Sequence, residues 1–188
     1  MDDAKFFAIA LEEAKKGFQD GGVPIGAVLV SKDGQILGQG CNKRVQEGSV
    51  TKHVRLLRSM LTASGQLRGY AYYIALPILN PPKGEISALE ASSPGTGLPP
   101  PATIYNGATM YSTLLPCIMC TGACLLYGIG RVVYGSGADQ NLKFDTVKIL
   151  ESYGVETVCV GNRESEEMMA RWVRENPERY GREPWAEG

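Results

Sequence analysis

Histidine is almost missing from this chain of 188 residues, and the one copy is His53. A metal site built with imidazole nitrogen can therefore draw on a single such ligand. The formal net charge is −1, so the chain lacks the excess of positive charge that attracts nucleic acid or an anionic membrane. No uninterrupted apolar run reaches the roughly 18 residues of a spanning helix, and we expect no membrane partner.

The beginning of the chain also lacks the apolar core of a signal peptide, because charged residues interrupt MDDAKFFAIALEEAKKG. We therefore expect a cytoplasmic protein, with the nucleus as a second location. Five cysteines in such a chain predict reduced thiols and not a disulfide framework. The length fits one domain with a core of its own, so we predict a single domain over residues 1–188.

Apolar residues recur at helical and strand spacings in alternation, which predicts an α/β layered domain. The first two strands flank the turn sequence KDG, so they are predicted to be antiparallel neighbours in a mixed sheet. The predicted helices cover 4–18, 117–128, 145–153 and 164–175, and the predicted strands cover 23–30, 35–41, 108–114, 130–136 and 155–161.

Cys117 and Cys120 stand three positions apart, directly after Pro116. Proline is favoured in a first helical turn, and residues at this spacing lie on nearly the same side of a helix. The unpaired N–H groups and the dipole at a helix start favour thiolates, which suit zinc. The pair alone is also compatible with a redox couple or with two small apolar residues in the core. Cys124 is either core or a fallback ligand, and Cys41 and Cys159 are expected to be buried in strands.

The segment 54–83 contains no acidic residue, although the chain has 20 of them. These thirty residues show no clean helical or strand period, unlike most of the chain. A second segment without a clean period, 91–107, is rich in proline and glycine and is predicted to be a loop.

The Pro-Cys-x-x-Cys sequence is half of a signature whose other half is His-x-Glu. Together with several longer stretches it resembles the fungal-type cytosine deaminases, in the zinc-dependent cytidine and deoxycytidylate deaminase-like family. The resemblance implies a three-layer α/β/α fold with a central mixed five-stranded sheet, and a homodimer. The stretches that carry it are GGVPIGAVLV, GQGCNKR, GEISALE, ATMYSTLLPCIMCTGACLLYGIGRVV and ENPERYGRE.

The resemblance also implies a catalytic site with one Zn²⁺ per chain. His53, Cys117 and Cys120 would hold the metal, and Glu85 would carry protons between water and the base. The implied reaction is hydrolytic deamination of a free nucleobase, cytosine to uracil plus ammonia. Nucleic acid is not an expected partner. The positions that would bind the substrate are Asn42, Gly84, Leu114 and Glu183.

The chain departs from this family where His-Gly-Glu is expected, because His53 and Glu85 are separated by the segment 54–83. Lys83 now stands two positions before Glu85, and removing 54–83 would restore His-Gly-Glu in a chain of 158 residues. One explanation is a loop whose ends return together. The other explanation, which we favour, is a translated intron. Thirty codons keep the reading frame. The segment begins with valine, whose codons start with GT, and ends with lysine, whose codon can end with AG, and these are the usual boundaries of an intron. We predict that the segment is poorly ordered.

Two neighbours of the cysteines also depart from the family pattern. Leu115 stands where serine is common, and Ile118 stands where an acid is frequent. Deamination of another base or of a tRNA nucleoside is therefore an alternative, as is a catalytically impaired zinc-binding relative in which the insertion has broken the site.

Overall fold

A computed structural model describes residues 2–46, 85, 88, 104–137 and 144–178. In this part of the chain, four helices and five strands follow one another in the alternation that the sequence predicts. Glu85 and Ala88 are also helical. In chain order the elements are α1 Asp3–Gln19, β1 Gly26–Val30, β2 Ile36–Cys41, β3 Thr109–Leu114, α2 Ile118–Leu126, β4 Arg131–Ser136, α3 Thr146–Ser152, β5 Glu156–Cys159 and α4 Arg163–Glu175.

The five strands form one mixed sheet in the order β2-β1-β3-β4-β5. β1 is antiparallel to both of its neighbours, β2 and β3, whereas β3, β4 and β5 are parallel. The predicted mixed sheet and the predicted antiparallel first pair are therefore confirmed. Because β1 reverses direction between them, β2 and β3 run the same way and end at the same edge of the sheet.

Alternate residues of the central strands pack on opposite faces of the sheet, as the period of a strand requires. On one face, Val28 of β1 and Tyr111 of β3 pack against Phe6 and Phe7 of α1. On the other face, residues such as Met110 of β3 pack with Ala88, Cys124 of α2 and Leu150 of α3. Helices thus cover both faces, which confirms the predicted three-layer α/β/α fold.

α1 approaches β1 closely because Gly26 has no side chain. A Cβ atom at this position would collide with the backbone of α1 at Ala10 and Ala14. α1 begins where the Asp2 carboxylate accepts a hydrogen bond from the Lys5 N–H at 3.0 Å, as an N-cap residue does. This close packing fixes β1, which lies between the two strands that end at the candidate site.

The ends of the observed elements differ from the predicted ends by at most three residues. Cys41 is buried, as predicted, but the prediction that Cys159 is buried was wrong because its side chain is exposed. Cys159 lies in β5, which has a neighbour on one side only, so its residues are less covered than those of the inner strands. Among the described residues, no helix has the length and hydropathy to cross a membrane.

A partly buried ion pair joins the start of α1 to the sheet. The Asp3 carboxylate accepts hydrogen bonds from Arg131 Nη1 at 2.7 Å, from Arg131 Nη2 at 2.9 Å and from the Tyr111 hydroxyl at 2.8 Å. The hydrogen bond from Arg131, with a further contribution from Tyr111, holds the pKa of Asp3 below its usual 3.8. This two-pronged contact links α1 to β3 and β4 at once.

Replacing Asp3 by Asn is expected to lower the free energy of unfolding by about 1–3 kcal/mol at neutral pH, because Arg131 loses the charged partner of two hydrogen bonds and keeps only its ion pair with Glu156. Urea denaturation of the wild type and the variant measures this difference. The native pKa of Asp3 is depressed, so the stabilisation is complete above about pH 4 and is lost as the pH falls through the native pKa.

The matched control is Glu167→Gln, which breaks an exposed ion pair with Arg163 on α4. We expect it to change the free energy of unfolding by less than about 0.5 kcal/mol. Equal losses in the two variants would show that the Asp3 contact is an ordinary surface pair.

Candidate functional site

Cys117 and Cys120 lie where β3 gives way to α2, and their Sγ atoms are 3.8 Å apart. Cys117 is the N-cap residue, with extended backbone angles, and Cys120 is in the first turn of α2. The helix thus begins at Ile118, one residue later than predicted, and Pro116 precedes the cap. The side chains are 6% and 0% exposed. The prediction that both cysteines share the start of one helix is confirmed.

The local sequence builds this helix start with two contacts of Thr121. Its N–H donates to the Cys117 carbonyl at 2.8 Å, which is the first backbone hydrogen bond of α2. Its hydroxyl donates to the Pro116 carbonyl at 3.3 Å. The thiols therefore sit at the end of the helix where the backbone dipole favours negative charge.

Glu85 brings a carboxylate to the same place, and it is only 2% exposed. The Cys120 thiol donates a weak hydrogen bond to Oε2 at 3.6 Å, and the Ser112 hydroxyl donates to Oε1 at 2.9 Å. Ala88, one helical turn later, is buried in the core beneath the sheet. The structure thus places Glu85 beside the thiol pair, although 32 positions separate it from Cys117 in the sequence.

Asn42 directly follows β2 and is buried at the edge of the sheet where β2 and β3 both end. Its backbone N–H donates to the Ile25 carbonyl at 2.8 Å, and its Oδ1 accepts from the Arg44 N–H at 3.0 Å. Leu114 is buried at the end of β3. Both predicted substrate-binding positions therefore lie at the edge that carries the thiols.

The geometry of the thiol pair fits a zinc ion. Tetrahedral zinc with Zn–S bonds of about 2.3 Å holds two sulfur atoms about 3.8 Å apart. The observed separation of the Cys117 and Cys120 sulfur atoms is 3.8 Å. Within the described residues, no group of three or more histidine, cysteine or acidic side chains is arranged to hold a metal. His53, Gly84 and Glu183 lie outside the described residues.

Cys124 belongs to the core and not to the site. It is fully buried among apolar side chains of α2, α3 and the sheet. Burial, with smaller contributions from the nearby Glu85 and Cys117 charges, raises the pKa of the Cys124 thiol well above its usual range. The packing of Cys124 among apolar side chains therefore favours the core alternative for it.

Sequence reasoning missed Ser112, whose hydroxyl contacts the Glu85 carboxylate. One signal was available, since residues two apart on a strand share a face. Ser112 therefore shares a face with Met110, which packs with Cys124 of α2 in the core. Without the position of the Glu85 helix, that alternation does not identify a partner for the hydroxyl.

The family model for the cytidine and deoxycytidylate deaminase zinc-binding region matches residues 1–136 of this chain. The match includes all of β1 to β4, Glu85 and both site cysteines. It therefore spans the whole of the described candidate site.

Among curated proteins, the cytosine deaminase of Candida albicans is 37% identical over 179 residues, which cover 95% of this chain and 93% of that protein. The tRNA-specific adenosine deaminase of Streptococcus pyogenes serotype M1 is 30% identical over 145 residues, covering 77% of this chain and 63% of that protein. Among solved structures, one from a study of A-to-I editing by tRNA:A34 deaminases superposes with a TM-score of 0.58. It is 22% identical and covers 88% of this chain and 99% of its own, so it supports the fold.

Proposed function

Because the chain belongs to the cytidine and deoxycytidylate deaminase family of zinc-dependent hydrolases, we propose that it deaminates free cytosine to uracil and ammonia. One observation carries the proposal. A buried carboxylate, Glu85, lies 3.6 Å from one of two thiols that have the separation of zinc ligands. This arrangement has the parts that hydrolytic deamination needs, a metal-binding pair and a proton carrier beside it.

Cys117 and Cys120 are the proposed thiolate ligands of one Zn²⁺ per chain, and His53 is the proposed third ligand. Three protein ligands leave the fourth position of a catalytic zinc site open. When bound there, zinc lowers the pKa of a water molecule enough to make it a nucleophile near neutral pH.

Glu85 is the proposed proton carrier. Its carboxylate takes a proton from the attacking water and passes it to the base, where C4 is attacked and the amino group leaves as ammonia. Glu85 acts beside the metal ligands and is not counted among them.

Asn42 is proposed to read the edge of the pyrimidine. Its Oδ1 is held by the Arg44 N–H, so the amide presents Nδ2 as the donor to an oxygen of the base. Gly84 and Leu114 are proposed to contribute backbone contacts, and Glu183 is proposed to contact the base. Near the thiols, Ile118 is exposed and offers no polar group.

Adenosine in tRNA is the second candidate substrate, and the Streptococcus pyogenes relative favours it. Against it stands the net charge of −1, since a tRNA-binding surface gains most of its affinity from basic residues that contact phosphates. The identity to the cytosine deaminase is higher and extends over more of the chain, so free cytosine is the preferred substrate.

The proposed domain organisation is a single deaminase domain over 1–188 with 54–83 inserted in it. Support for a translated intron comes from the sequence, because excision of thirty residues restores His-Gly-Glu. We also propose a homodimer, from the family resemblance, in the cytoplasm with the nucleus as a second location.

The 188-residue chain and a form lacking 54–83 test the function and the insertion together. We expect the short form to bind about one zinc per chain and to release ammonia from cytosine, because it places His53 directly before Gly84. Zinc analysis and an ammonia assay measure both quantities.

The long form distinguishes the two explanations of the segment. Activity in both forms would identify 54–83 as a tolerated loop, whereas activity in the short form alone supports the translated intron. If both forms bind zinc and neither releases ammonia, the proposed function is overturned and a catalytically impaired relative is favoured. Release of ammonia from adenosine in tRNA but not from cytosine would replace the proposed substrate.

Glu85→Gln in an active form is expected to keep zinc and to lower kcat by about 10²–10⁴-fold, because the amide cannot carry the proton. The matched control is Glu13→Gln, which alters a buried carboxylate of α1 that bonds with Lys16 and Gln39. We expect the control to retain its turnover. Full turnover in Glu85→Gln would rule out Glu85 as the proton carrier.

A further inference from the structure

The Ser112 hydroxyl contacts the Glu85 carboxylate inside the core, with Ser112 fully buried on β3. Its Oγ donates a hydrogen bond to Glu85 Oε1 at 2.9 Å. We propose that Ser112 is a positioning residue for the reaction, an inference that rests on the proposed function. It holds one carboxylate oxygen so that the other, Oε2, is the atom that carries the proton.

The sheet holds Ser112 in place from both sides. The residue lies within β3, opposite Ala27 of β1 on one side and opposite Tyr134 of β4 on the other. Hydrogen bonding to strands on both sides fixes its backbone, and therefore the direction of its Cβ, more firmly than a loop position could. A short side chain on such a support offers a hydroxyl at one defined place.

The Glu85 side chain needs a fixed hydrogen-bond partner of this kind to keep one orientation. A glutamate side chain has several rotatable bonds, and its two carboxylate oxygens are chemically equivalent until their surroundings differ. Here the surroundings differ, because Oε1 faces Ser112 while Oε2 lies 3.6 Å from the Cys120 sulfur. The hydroxyl thus turns Oε2 toward the thiol pair, where the chemistry is proposed to occur.

The Ser112 hydroxyl affects kcat and not KM on this account. The proposed contacts with the base come from other positions, including Asn42 and the backbone of Leu114. Loss of the hydroxyl therefore leaves binding of the base in place and lets the carboxylate adopt other orientations. Such a defect lowers kcat and leaves KM nearly constant.

The kinetic experiment uses the zinc-loaded form that releases ammonia, with or without 54–83, and compares it with its Ser112→Ala, Ser112→Thr and Ser165→Ala variants. In Ser112→Ala, kcat for cytosine should fall about tenfold while KM changes less than about twofold. Zinc content should not change. Ser112→Thr keeps a hydroxyl and should recover most of kcat. Ser165→Ala, the matched control, removes another buried serine hydroxyl, one that bonds with the Asn162 carbonyl at the start of α4, and should keep both constants.

An unchanged kcat in Ser112→Ala, or a rise in KM as large as the fall in kcat, would overturn the positioning role. Loss of zinc from Ser112→Ala would also overturn the positioning role, because the fall in kcat would then come from the metal site and not from the orientation of Glu85. If neither the 188-residue chain nor the form lacking 54–83 releases ammonia from cytosine, the proposed function is what fails.

Thermal unfolding of Ser112→Ala, Glu85→Met and the double variant tests the hydrogen bond between Ser112 and Glu85 without a measurement of activity. A double variant no less stable than Glu85→Met supports the contact, because the hydroxyl then matters only through Glu85. Shifts in midpoint that simply add would contradict it.

Discussion

Three acidic groups meet in one place that water hardly reaches: the carboxyl of Glu85 and the thiols of Cys117 and Cys120. Burying negative charges side by side is costly unless the groups stay protonated or share a cation. A divalent ion bound by Cys117 and Cys120 would offset the cost of burying the two thiolates, and zinc is the ion that the family binds. Cys124, a single turn farther along α2, is packed among apolar side chains, and burial is the main cause that raises the pKa of its thiol.

The sheet brings these groups together from distant parts of the chain. β1 lies antiparallel between β2 and β3, so the two parallel strands end at the same edge. Asn42 follows the first of these strands, and the Pro116–Cys120 stretch follows the second. Ser112, inside β3, faces the layer in which Glu85 lies. A ligand site outside the carboxyl ends of parallel strands is common in α/β folds, and here the start of α2 adds its dipole.

Much of the fold could be predicted because helices and strands in this chain have clear apolar periods. The position of the cysteine pair at a helix start could also be predicted, because the spacing of the two cysteines and the proline before them are local features of the sequence. The exposure of Cys159 could not be predicted, because it depends on the position of β5 at the edge of the sheet. The role of Ser112 was hidden for a similar reason, as its partner Glu85 comes from a distant helix. The proposed roles of His53, Gly84 and Glu183 stay predictions, because these residues lie outside the described part of the chain.

The number of sulfur ligands around the metal tests the site most directly. Zinc-edge X-ray absorption on the purified, zinc-loaded chain should show about two sulfur atoms at about 2.3 Å and about two nitrogen or oxygen atoms at about 2.0–2.1 Å. That result is expected if Cys117 and Cys120 bind zinc with one histidine and one open position. A shell of four sulfur atoms, or a zinc ion without sulfur, would contradict it.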